Sequence, residues 1–132
     1  MAKFNTFTEI TAWQKARNIS LQVFELTSKG SFSRDFGLKD QINRATGSIM
    51  DNIAEGFERN SKNEFVNFLS YSKGSAGETL SQLYRALDRN HITKDEFNSL
   101  KILVEEVGLL IGGLMNYLNS TTTRGHKFKD RV

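Results

Sequence analysis

The chain of 132 residues contains no proline. Proline interrupts helices and punctuates loops, so its absence favours long unbroken helices joined by short connections. The apolar residues follow the same plan. Phe97, Leu100, Val104, Val107, Ile111, Leu114 and Leu118 recur at steps of three and four, which lays one stripe along one helix face. Comparable stripes run through Trp13, Ala16, Ile19, Val23 and Thr27, through Leu38, Ile42, Ala45, Ile49, Asn52 and Gly56, and through Phe65, Ser72, Ala76 and Leu83. No segment shows the alternation of a half-buried strand.

Local signals set the helix limits. Lys29-Gly30 ends the first helix, and Asn60-Ser61 breaks the second. Ser61-x-x-Glu64 and Thr93-x-x-Glu96 are capping boxes that open the third and fourth. The spacing predicts helices over about 9–29, 38–59, 62–90 and 94–118, with Phe32 and Phe36 folding back onto the bundle end. The fold class is therefore all-α: a single-domain, antiparallel up-down-up-down four-helix bundle over 1–118, followed by a flexible basic tail over 119–132.

Charge is unevenly placed. The chain has 18 basic and 15 acidic residues, a net charge of +3. From Ser120 onward stand Arg124, Lys127, Lys129 and Arg131 against Asp130 alone, which leaves 14 residues of each sign upstream. The excess that could attract a polyanion thus belongs to the tail. Lys15, Arg17, Arg85 and Arg89 are the candidate phosphate contacts on the helices, although each reads first as an ordinary solvated surface charge. There is no cysteine, so disulfides and thiol chemistry are excluded. No leader segment is visible, and the apolar run 107–118, interrupted by glycines, falls short of the roughly 20 residues of a membrane span. A cytoplasmic location with no membrane partner is expected.

Polar residues form a second pattern. Gln41, Arg44, Ser48, Asn52, Glu55 and Arg59 share an edge of the second helix, and Glu64, Tyr71, Ser75, Glu78, Gln82 and Arg89 share one on the third. In an antiparallel pair, facing positions keep a constant index sum. Arg59 then faces Glu64, Asn52 faces Tyr71, Ser48 faces Ser75, Arg44 faces Glu78, and Gln41 faces Gln82, with Gly47 and Gly74 permitting close approach. Such a ladder reads first as a register-fixing seam. A ligand site on Arg44, Glu55 and Glu78, or a subunit contact, is the other reading. Antiparallel packing also brings Trp13 near Glu55, which its indole N–H could reach.

Catalytic and metal chemistry find little support. The histidines are His91, in a turn, and His126, in the tail, so the Glu-x-x-His pairs of a di-metal bundle are absent. There is no phosphate-binding glycine loop, zinc-protease motif or nucleophile elbow. No catalytic residue, metal ligand or cofactor is assigned. Leu103, Leu110 and Tyr117 form a second apolar row on the fourth helix, and Met50 and Phe57 lie off the main stripe of the second. These are candidate oligomer contacts, unless the core-facing stripes are simply wide.

Several of these residues recur together in one family. Trp13-Gln14-Lys15-Ala16, Phe36-Gly37-Leu38, Gln41-Ile42-x-Arg44-Ala45, Ser48-Ile49-x-x-Asn52-Ile53-Ala54-Glu55-Gly56, Glu64-Phe65 and Gly74-Ser75-x-x-Glu78 follow in order. The chain resembles, over roughly residues 9–118, the bacterial four-helix-bundle family named for proteins encoded in 23S ribosomal RNA intervening sequences. Thr46-Gly47 departs from its usual alanine-rich stretch. The resemblance implies a homopentameric ring, kinship with the nucleic-acid-engaging accessory proteins of diversity-generating retroelements, and no established enzymatic activity. Association with RNA or another nucleic acid is the function expected on this basis, and an oligomeric protein-interaction scaffold is the alternative.

Overall fold

A computed structural model of the protein describes residues 4–121. Among them are four α-helices, α1 (Thr11–Thr27), α2 (Phe36–Glu58), α3 (Lys62–Asp88) and α4 (Lys94–Asn119), with short 3-10 turns at Phe7–Glu9 and Gly30–Arg34. Consecutive helices pack side by side and α1 closes against α4, which makes a four-helix bundle. The α2–α3 contact is the most extensive.

The connections are short because each helix end carries its own stop. Asn60 and Asn90 take left-handed backbone with φ of 54° and 59°, and Gly30 does so at 60°. Asparagine and glycine adopt this conformation at little cost. After α3, the His91 N–H bonds the Ala86 carbonyl at 2.9 Å and the Asn90 N–H bonds Leu87 at 3.0 Å. That pair of bonds is a Schellman ending. Thr93 and Glu96 form the full reciprocal capping box of α4. Ser61 caps α3 by accepting from the Glu64 N–H, but the Glu64 carboxylate turns to Arg59 instead of closing the box.

All seven predicted core positions of α4 are buried, from Phe97 to Leu118. The second helix is wider than its predicted stripe. Ile53 and Phe57 join Leu38, Ile42, Ala45 and Ile49 inside, while Asn52 is only half-buried. An α2 wedged between α1 and α3 needs apolar residues on two flanks. Phe57, a predicted oligomer contact, is fully buried and meets Phe65 edge-on at 6.0 Å. It is therefore core. Phe32 folds back as expected and is buried, whereas Phe36 is 76% exposed, because α2 begins two residues early and carries it outward. Helix α1 stops short of its predicted limits, with Glu9 in the first 3-10 turn and Lys29 beyond the C-cap.

Candidate functional site

The seam between α2 and α3 is tight near its turn. A Cβ on Gly56 would lie 2.6 Å from the Phe68 Cβ and 3.0 Å from the Phe65 ring, so only glycine admits this approach. Arg59 reaches Glu55 on its own helix at 2.9 Å and Glu64 across the turn at 3.5 Å, with its guanidinium over the Phe68 ring at 5.1 Å. Further along, the Ser72 hydroxyl donates to the Ile49 carbonyl at 2.6 Å and the Ser75 hydroxyl to that of Ser48 at 3.0 Å. Asn52 does not cross to Tyr71. Its amide donates to the carbonyl and hydroxyl of Ser48, one turn back, and Tyr71 is exposed and accepts from Asn67. Nor do Gly47 and Gly74 create the close approach, since a Cβ on either would meet open space.

Beyond Ser48 the seam opens. Arg44 pairs through Nε with Asp40 at 2.9 Å, one turn back on α2, and does not reach Glu78. The Glu78 carboxylate meets no ion-pair or hydrogen-bond partner among the described residues. Arg85 donates to Gln41 at 2.9 Å, displacing Gln82 from the predicted amide pair. The Gln82 Oε1 is buried with no donor. The predicted cross-links Arg44–Glu78 and Gln41–Gln82 are thus replaced by an open groove of about 520 Å³, lined by Gln41, Arg44, Ser48, Glu78, Gln82 and Arg85. The cause is local: an (i, i+4) acid on the same helix satisfies Arg44 without spanning the seam.

A clasp closes the far end. Asp35 caps α2, and its Oδ2 accepts from Arg89 at 2.7 Å and from His91 Nε2 at 2.8 Å. The His91 Nδ1 meets the Ser31 hydroxyl at 2.8 Å, and its ring stacks on Phe32 at 4.9 Å. The hydrogen bond from His91, then that from Arg89, hold the Asp35 carboxyl down at about 2, against a smaller opposing effect of burial. Sequence reading missed this cluster. Asp35 three residues before Leu38 is an N-cap signal, but nothing local ties it to a histidine 56 residues on.

The predicted phosphate contacts on the helices fall in two separate places. Lys15 pairs with Glu106 at 3.4 Å and Arg17 lies over Trp13 at 5.8 Å, both in the first half of α1. Arg85 and Arg89 sit at the end of α3, by the groove and clasp. Arg124, Lys127, Lys129 and Arg131 lie outside the described residues. Trp13 packs edge-on against Phe7 at 5.2 Å, and Glu55 is taken by Arg59, so the expected Trp13–Glu55 bond is not made. Met50, Leu103, Leu110 and Tyr117 are half-buried and pack on the chain's own core. The exposed apolar row of α4 lies one position over, at Ile102 (65% exposed) and Leu109 (79%). Among the described residues no group of three potential ligands could hold a metal ion, and no helix is long and apolar enough to cross a membrane.

Comparisons with known proteins place this bundle. No curated protein matches the chain. Among solved structures it is similar to a protein of unknown function from the S23 ribosomal protein family of Bacteroides thetaiotaomicron, with a TM-score of 0.72 and 21% identity over 80% of this chain and 98% of that one. That likeness supports the fold. The profile of the 23S rRNA-intervening sequence proteins matches residues 8–113, which includes the whole α2–α3 seam. The chain belongs to the 23S rRNA-intervening sequence protein family.

Proposed function

We propose that this protein is a non-enzymatic, self-associating bundle of the bacterial cytoplasm that binds RNA. The observation that carries the reading is the charge placement: the whole excess of +3 falls in the residues after Asn119. These residues follow directly on α4, whose Glu106, midway along the helix, pairs with Lys15 of α1. A ring, as the family resemblance implies, would repeat that basic end around one axis and multiply its attraction for phosphate. The exposed Ile102 and Leu109 on α4 support self-association, since paired apolar side chains this open gain from being covered.

The test is binding of the full chain to structured RNA and to duplex DNA over a salt series. Phosphate contact predicts an affinity that falls steeply and linearly on logarithmic axes. Removal of residues 122–132 should flatten that slope. No binding at low salt would overturn the reading and favour a protein-interaction scaffold, the function that the exposed α4 row would serve without nucleic acid.

A further inference from the structure

The groove between α2 and α3 is bounded on both sides, by the Ser48–Ser75 bond at one end and the Asp35–Arg89 pair at the other. Its volume of about 520 Å³ suits a small ligand or one residue of a larger one. Its polar groups are of two kinds. Arg44 and Arg85 are exposed at its rim, each already bound through one nitrogen, to Asp40 and Gln41, with further N–H groups to give. Glu78 and Gln82 are acceptors without donors: a carboxylate with no partner among the described residues and an amide oxygen buried unpaired. Rotation of the Gln82 amide would turn that oxygen towards a ligand N–H. The groove therefore asks for a ligand that brings both adjacent N–H donors and an anionic oxygen.

We propose that this groove is a subsite for a guanine nucleotide unit of single-stranded RNA. The Glu78 carboxylate accepts from the base N1–H and N2 amino group, Gln82 accepts a further N–H, and Arg44 and Arg85 hold the phosphate. A carboxylate offers only acceptors, and guanine alone among the four bases presents two N–H donors side by side on its Watson–Crick edge. Adenine and cytosine bring one amino group there, and uracil one imino group. No aromatic ring lines the groove, so the base would be held by its edge and not by stacking on a ring. This assignment rests on the RNA-binding reading for its biological source, but its own test does not need RNA.

The experiment is calorimetric titration of the full chain with GMP, AMP, CMP and UMP. GMP should bind at least about fivefold more tightly than AMP, the least that one bidentate contact supplies. Glu78→Gln replaces one acceptor by a donor at an exposed position, so it should fold normally and lose the preference for GMP. Arg85→Ala should weaken all four nucleotides alike. Equal binding of the four, or a GMP preference that survives Glu78→Gln, would overturn the subsite. So would binding of argininamide by a chain that binds none of the four nucleotides, which would mark the groove as a binder of protein side chains. RNA binding without GMP discrimination sinks the subsite and leaves the RNA reading standing. GMP discrimination without RNA binding does the reverse.

Discussion

The two halves of the α2–α3 seam both carry polar residues at three- and four-residue steps, yet one is closed and the other open. From the turn to Ser75, glycine and serine bring the helices together, and hydroxyls bond across to Ser48 and to the Ile49 carbonyl. From Arg44 to Asp35 the side chains are long: Arg44 turns to Asp40 on its own helix, while Arg85 and Arg89 cross to Gln41 and Asp35 with space left between them. The hydroxyls of Ser72 and Ser75 commit to the neighbouring helix where the backbones are close, whereas Asn52 turns back to Ser48 on its own. Polarity at a helix interface thus says less about closure than the reach of the side chain and the presence of an acid four residues away.

The largest effect should come from filling the closed half. Gly56→Ala forces a Cβ into Phe68 and Phe65, and we expect a loss of about 2 kcal/mol in denaturant unfolding, net of the better helix propensity of alanine. An unchanged midpoint would mean that the seam is not tight there. Ser72→Ala removes the buried bond to Ile49 and should cost about 1 kcal/mol in the same assay. Gly47→Ala and Gly74→Ala have free space in helix interiors, so each should stabilise by about 0.5–1 kcal/mol. Destabilisation by either would show that these positions face something after all.

The clasp gives a pH test of the open half. The Asp35 carboxyl titrates at about 2 in the folded protein against an ordinary value of 3.8. Below 3.8 the unfolded chain binds the proton first, so the contribution is complete above about pH 4 and disappears as pH falls towards 2. Thermal melts from pH 6 to pH 2 should show a shallower acid loss for Asp35→Asn than for the parent chain. The smallest effect is a null one. A double-mutant cycle on Arg44 and Glu78 should give coupling within about 0.5 kcal/mol of zero, and a larger value would mean that the groove closes in solution.

Much of the architecture was legible because it rests on periodicity. The α4 stripe and the Thr93–Glu96 capping box depend only on residues close in sequence, and both stand as read. Ser48–Ser75 and Arg59–Glu64 were also reachable, since a hairpin register counted from the turn fixes both. The same count paired Arg44 with Glu78 and failed, because register says which residues face each other and not which partner a flexible side chain prefers. Phe57 was misplaced for a different reason: one stripe cannot describe a helix with two buried flanks. The Asp35–His91 clasp and the unpaired Gln82 oxygen depend on how three segments meet, which no local pattern encodes.

The tight turn at Arg59 to Ser61 also bears on the order of events in time. It brings Arg59 to Glu64 with almost no loop to close, then Gly56 to Phe65, then Ser48 to Ser75, each contact shortening the search for the next. A seam built this way can zip from the turn outward, and a topology of nearby contacts folds fast. With no proline anywhere, no molecule waits tens of seconds for a peptide bond to isomerise. Refolding of the single chain should therefore run as one rapid phase, and any slow step should depend on protein concentration.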